Sequence, residues 1–346
     1  MSERPTRIGY KILSVCALIV GSGAFTAGSA ATLDDVKQRG RLICGVETGL
    51  AGFAMRADGD RWIGFDVDFC RAVAAAIFAD GDAVEFKPLT AAERFGALQS
   101  GAIDLLARNT TWTFTRDVDF GFEFVGVMFY DGQGFLVPKA LGVTQALELN
   151  GARICIETGT TSELNLADYY RRHKMMFESV VVSTSDEARR TYLANACDTY
   201  TSDRSALAAT RSMLPDPSAH ILLPDYISKE PLSPLVRHDD TQWADLVRWV
   251  RNVLILAEEL DVSSENAMEL RATSVDPDVR RLLGAEGELG VKLGLTADWA
   301  FDVIMSGGNY REIFDRNLGP DTPLALDRGL NALWSDGGIL YAPPLR

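Results

Sequence analysis

The stretch RNTTWTFTR at residues 108–116 places Asn109 and four threonines between two arginines, directly after the apolar segment 102–107. Small hydroxyl and amide side chains suit the wall of a polar cavity. A planar guanidinium grips a carboxylate through two charge-assisted hydrogen bonds. Arg116, five residues past Thr111, is placed to return over the loop that Thr111 lines. The local sequence equally allows a surface ion pair between Arg116 and Asp117 or Asp119, since exposed pairs are common and weak. For Arg108 the surface reading is the preferred one. In the second half, GTTSELNLADYY (159–170) reads as a turn entering a helix, with Thr160 and Glu163 spaced as a capping box. The free N–H groups and dipole of such an N-terminus attract an anion. A small zwitterion would then be held by its carboxylate between Arg116 and the Thr160/Thr161 amides, with Asp203 against its ammonium. That arrangement requires two parts of the chain to close on each other.

The elements around these residues read as parallel α/β structure. LDDVKQRG (33–40) is a short helix ended by Gly40, RLICGV a strand, and VDFCRAVAAAIF a helix with Asp66 as N-cap and Val67, Cys70, Val73, Ala74 and Ile77 on one face. AVEFKPL, TAAERFGALQS and AIDLLA continue as strand, helix and strand. The pattern then restarts. RLICGVETG (41–49) is echoed by RICIETG (153–159), and residues 93–111 by residues 188–206, with Asp104 opposite Asp198 and Asn109 opposite Asp203. Two lobes of similar design would each present polar loops at the C-terminal ends of their strands, where open α/β sheets bind ligands. DGQGFLVPK (131–139) carries the chain out of the first lobe, and ISKEPLSPLVRHDD (227–240) carries it back. The expected boundaries are residues 31–132 plus 233–346 for the first lobe and 133–232 for the second. TQWADLVRWVRNVLILAEEL is an amphipathic helix with Trp243, Leu246, Val247, Val250, Leu254 and Ala257 on its stripe. The helical remainder is expected to buttress the first lobe.

At the N-terminus, Arg4, Arg7 and Lys11 precede the short apolar run ILSVCALIV and a small-residue exit near Ala30 or Ala31, the pattern of a cleaved signal peptide over residues 1–30. Loss of its three bases and one acid would take the formal charge from −14 to −16. So acidic a chain is a poor partner for nucleic acid or an anionic membrane. Cys44, Cys70, Cys155 and Cys197 remain, and in an exported protein they favour disulfides, with three pairings open. There is no P-loop, nucleophile elbow or H-E-x-x-H motif, and His173, His220 and His238 lie far apart. No spacing suggests a metal.

Taken together and in order, KQRGRLICGVETGLAGFA, GFDVDFCRAVAAAIF, LTAAERFGALQSGAIDLLARNTTWTFTRD, DGQGF, ETGTTSELNLADYY, CDTYTSDRSAL, ISKEPLSP and GLNALWSDGGILYAPPLR resemble the general L-amino-acid-binding proteins of bacterial ABC importers, within solute-binding family 3. The resemblance runs from about Leu33 to Arg346. It implies a two-lobe periplasmic binding protein of type II, a Venus-flytrap with a hinge of two chain crossings. Such a protein would be a periplasmic monomer that delivers L-amino acids to an inner-membrane permease, with neither cofactor nor enzymatic activity. It further implies that Arg116 holds the ligand carboxylate with Thr111 and the Thr160 or Thr161 amides. Asp203 and the Asn109 carbonyl would hold the ammonium, and Leu50 stands where many relatives stack an aromatic ring. The pairings it implies are Cys44–Cys70 and Cys155–Cys197. Glu47 and Glu157, equivalent in the two half-repeats, replace the uncharged residues more usual there. Unpaired, they would bias the site toward cationic or polar side chains. The alternative on the same architecture is a dehydratase of cyclic acids such as arogenate or prephenate, for which Glu47 or Glu157 would supply the proton chemistry.

Overall fold

The computed structural model describes Met1, Ser2 and residues 31–346, so the expected signal peptide lies largely outside the described residues. Residues 31–346 form one compact unit. In chain order its strands are β1 (Leu42–Val46), β2 (Met55–Arg56), β3 (Trp62–Ile63), β4 (Val84–Pro88), β5 (Leu105–Leu106), β6 (Phe122–Phe124), β7 (Phe129–Asp131), β8 (Gln133–Pro138), β9 (Arg153–Glu157), β10 (Glu178–Val182), β11 (Thr199–Asp203), β12 (His220–Leu222), β13 (Glu230–Leu232) and β14 (Leu235–Arg237). The helices are α1 (Thr32–Arg39), α2 (Phe65–Phe78), α3 (Arg94–Gln99), α4 (Thr161–Arg172), α5 (Ser185–Leu193), α6 (Arg204–Ser212), α7 (Thr241–Glu259), α8 (Ala267–Thr273), α9 (Pro277–Leu282), α10 (Leu289–Lys292), α11 (Trp299–Gly307) and α12 (Tyr310–Asn317).

Two five-stranded sheets carry the architecture, in the orders β4-β1-β5-β14-β6 and β10-β9-β11-β8-β12. In each, the first three strands are parallel and the fourth runs against them. That fourth strand follows a passage between the sheets: β8 comes just after the outward passage and β14 just after the return. The passages themselves are β7 and β13, which pair as a separate antiparallel ribbon through Phe129↔Leu232, Tyr130↔Pro231 and Asp131↔Glu230. The two-lobe flytrap design follows from this topology.

The internal repeat is visible in its hydrogen bonds. The Ile43 amide donates to Asp104 Oδ2 and the Arg153 amide to Asp198 Oδ2, each at 2.8 Å, so an equivalent Asp pins the start of β1 and of β9. The cysteines bridge as Cys44–Cys70, joining β1 to α2, and Cys155–Cys197, joining β9 to the segment before β11.

Helix α2 begins at Phe65, one residue before the expected cap. Gly64 takes φ 136° there, and a Cβ on it would lie 2.1 Å from Phe53 O, so the turn admits only glycine. Asp66 therefore falls inside the first turn, buried, where its Oδ2 accepts the Asn109 amide at 3.2 Å. The expected stripe of α7 is wholly buried, and α11 packs along α2 to close the core of the first lobe. Fully burying side chains of this size stabilises by about 1.5–3 kcal/mol each. The C-terminal segment also reaches the hinge. Asn331 brackets Tyr130 of β7, accepting from its N–H at 2.6 Å and donating to its C=O at 3.1 Å.

Candidate functional site

The C-terminal ends of β1, β5, β9 and β11 and the N-termini of α4, α5 and α6 converge on one cavity between the sheets, with about 40 Å³ of free space. All nine residues expected from sequence line it: Glu47, Leu50, Asn109, Thr111, Arg116, Glu157, Thr160, Thr161 and Asp203. Arg94, Arg108, Ser162, Ser185, Tyr200, Ser202 and Ala206 line it as well.

Arg116 sits in a single wide helical turn, Thr115–Asp119, and is 6% exposed. Its guanidinium folds back to donate to Thr111 O at 2.8 Å and lies 5.2 Å from the centre of the Phe95 ring. The surface pairing is excluded because Asp117 accepts instead from Trp112 Nε1 at 2.7 Å, while Trp112 stacks on Phe124. Burial lowers the Arg116 pKa to about 10, against the attraction of Glu230 and Asp203, so it stays cationic at neutral pH.

Across the seam, the N-terminus of α4 differs from the expected capping box. Thr160 Oγ1 donates back to Glu157 O at 2.8 Å, and Glu163 accepts from the Gly159 amide at 2.9 Å. No side chain caps the helix. Its first amides are thus left to a ligand oxygen, which a completed capping box would have displaced. In the same cavity Asp203 is held well above the usual carboxylate range, first by burial and then by the nearby Asp131 and Glu230. A cation placed against it would reverse that shift. Asn109 holds φ 28°, a left-handed conformation that Asn tolerates.

Arg108 is not at the surface, contrary to expectation; it is 5% exposed. Its Nε donates to Leu89 O at 2.8 Å, and one terminal nitrogen faces both Glu47 and Glu157, the latter at 3.1 Å. Glu47 and Glu157 are thus both buried and both paired with Arg108. The premise of the cationic bias, two unpaired carboxylates, does not hold. Two cavity-lining side-chain atoms have no hydrogen-bond partner among the described residues: Arg94 Nε and Asn109 Oδ1. Leaving such groups buried and unmet is costly, and a polar ligand in the cavity would meet them.

Glu230, on β13, has no place in the sequence-based site. It is 1% exposed; its Oε2 accepts from Thr111 Oγ1 at 2.6 Å and Thr161 Oγ1 at 2.9 Å, and its Oε1 from Asn165 Nδ2 at 2.7 Å and the Ser228 hydroxyl. The available signal was a carboxylate in KEPLSP, a segment that reads as a linker. Among the described residues no cluster of His, Cys, Asp and Glu could hold a metal, and no helix is long and apolar enough to cross a membrane.

Residues 42–266 match the model of the bacterial extracellular solute-binding proteins, family 3. The chain is 52% identical to the general L-amino acid-binding periplasmic protein AapJ of Rhizobium johnstonii over 97% of this chain and 99% of that one. It is 48% identical to the glutamate/glutamine/aspartate/asparagine-binding protein BztA of Rhodobacter capsulatus, over 96% and 97%. A periplasmic binding protein of an ABC transporter from Brucella ovis, solved with glutathione bound, superposes with a TM-score of 0.90 at 50% identity, covering 92% of this chain and all of that one.

Proposed function

Since the chain belongs to the bacterial extracellular solute-binding proteins of family 3, we propose that it captures free L-amino acids between its lobes and delivers them to an ABC permease. The observation that carries this reading is the pairing of a buried Arg116 and an uncapped α4 N-terminus with the buried Asp203, in one cavity. The ligand carboxylate sits on the Arg116 fork and the first amides of α4, with Thr111 at its side. The ammonium meets Asp203 and the Asn109 carbonyl, and Leu50 covers the aliphatic carbons. Few contacts suffice because closure orders little new structure.

The relatives are named for binding, and the dehydratase alternative finds no support in them. Their ligands include glutamate, glutamine, aspartate and asparagine for one and glutathione for another. Glutathione itself carries an ammonium and a carboxylate on one carbon, the same pair of charges. With Arg108 between Glu47 and Glu157, breadth is a better expectation than a cationic bias. The protein acts in the periplasm as a monomer, after cleavage of residues 1–30 near Ala30 or Ala31. Its lobes are residues 31–132 with 233–346 and residues 133–232, joined at the β7/β13 ribbon.

Thermal unfolding of the refolded, ligand-stripped protein tests this reading. A ligand at a thousandfold over its Kd adds about 4 kcal/mol to the folded state. Several L-amino acids, and not their D-forms, should raise Tm; no shift with any of them would overturn the reading.

A further inference from the structure

Three arginines and three carboxylates line the cavity: Arg94, Arg108 and Arg116 against Glu47, Glu157 and Asp203. Resting on the reading above, Arg116 and Asp203 are spent on the α-groups of a ligand. Two guanidiniums and two carboxylates are then left for whatever the ligand's side chain brings.

These four groups are held unequally. Arg108 is fixed from behind by Leu89 O, on the same side of the seam as Glu47, while Glu157 comes from the other lobe. Glu47 is steadied across the seam by the Ser185 hydroxyl at 3.2 Å. Glu47 Oε2 is taken up by the Arg108 guanidinium, whereas Arg94 has one long hydrogen bond, 3.4 Å to Gly159 O, with its Nε unmet. Donor capacity is therefore unspent in the wall where Arg108 is shared between two carboxylates. The carboxyl of Glu157 is raised by burial and by Glu47, and lowered by Arg108 and Arg94, so its charge follows its neighbours.

We propose that the Glu47–Arg108–Glu157 cluster, with Arg94 beside it, is a charge-adaptable reader of the ligand side chain, re-pairing to accept acidic, amide and cationic groups alike. An acidic side chain draws Arg108 and Arg94 onto itself, and Glu157 takes up a proton or a ligand water. A cationic side chain takes Glu47 and Glu157 and leaves Arg108 on Leu89 O. An amide uses one partner of each sign. A site made of one fixed charge would reject half of these ligands, because an unmatched buried charge is left behind.

The experiment is calorimetric titration of the refolded full-length protein with L-glutamate, L-glutamine and L-arginine, in wild type and in R108M. In R108M, glutamate should weaken by about a hundredfold, while glutamine changes by less than about tenfold and arginine is held or tightened, in line with the strength of charge-assisted hydrogen bonds. Equal weakening of all three would make Arg108 a structural bridge only, and an unchanged glutamate affinity would also overturn the proposal. The E47Q/E157Q double variant keeps the test open if R108M does not fold. There arginine should weaken by about tenfold or more while glutamate does not; parallel changes overturn the idea. Wild type that binds glutamine but neither charged ligand would sink this proposal and leave the clamp standing. Wild type that binds none of the three would sink the clamp itself.

Discussion

The hydroxyls of Thr111 and Thr161, one from each lobe, lie 3.3 Å apart. Both are fixed by the same oxygen of Glu230 on the hinge ribbon. With both hydroxyls committed to Glu230, the loop carrying Arg116 and the helix end facing it are set in register by a residue that does not line the cavity. Glu230→Gln keeps the shape but replaces one acceptor oxygen with a donor, so at least one of its four donors must lose its partner. Ligand affinity should fall by about 1–3 kcal/mol for every amino acid, with the lobe fold intact by circular dichroism. Because Glu230 is a positioning residue, Glu230→Asp should recover part of the loss, which a purely structural lesion would not.

In the proposed clamp, the ligand carboxylate depends on Arg116. Arg116→Met should weaken binding of acidic, neutral and basic amino acids alike, by about 2–5 kcal/mol, the cost of leaving a buried partner charge unpaired. Isothermal titration across the three ligand classes checks this. A loss confined to one class would place Arg116 on the side chain and not on the α-carboxylate.

Binding should release a proton at Asp203. In the empty site its pKa is raised by burial and by Asp131 and Glu230; against an ammonium it must ionise. The ionised form is the one that binds, so affinity should fall as pH is lowered through the raised free-state pKa, by up to about tenfold per pH unit. Titrations in buffers of different ionisation enthalpy would show the released proton, and Asp203→Asn should abolish both it and the slope.

Asp66 carries an opposite consequence for stability. Its pKa is raised to about 7, first by burial and against the Asn109 amide and Arg108. The fold prefers its neutral form, so this contribution is fully present below about pH 4 and is lost as pH rises through about 7. In denaturant unfolding of the ligand-free protein, Asp66→Asn should flatten the decline between those values, where a single group changes stability by at most about 1.4 kcal/mol per pH unit.

Much of this was legible in the sequence because it is local. Thr111 and Arg116 are five residues apart and share one loop. The α7 stripe and the α2 face repeat at helical spacing. The cysteine positions alone left three pairings open, and Cys44–Cys70 with Cys155–Cys197 was what the family resemblance implied. The part that escaped is made of contacts between distant segments. Arg108 meets Glu157 at 49 residues' separation and Glu47 at 61, and nothing in RNTTWTFTR distinguishes a buried guanidinium from an exposed one. Thr160 and Glu163 fit the capping pattern in spacing, yet the αL-type turn at Gly159, φ 76°, turns its own amide toward Glu163. Glu230 was hidden for a different reason: its four partners come from three separate segments, and the two prolines that follow it, Pro231 and Pro234, made the stretch look like linker.

The central claim is that the lobes close on the α-ammonium and α-carboxylate of one ligand. The most direct measurement compares the affinity of the ligand-stripped protein for L-glutamine with that for its α-carboxamide and its Nα-acetyl derivative, by titration calorimetry. Arg116 with the α4 amides, and Asp203, each face one of the two groups that are blocked in turn, so each analogue should bind at least about a hundredfold more weakly than L-glutamine. An analogue with either group blocked that binds as tightly as L-glutamine would contradict the account.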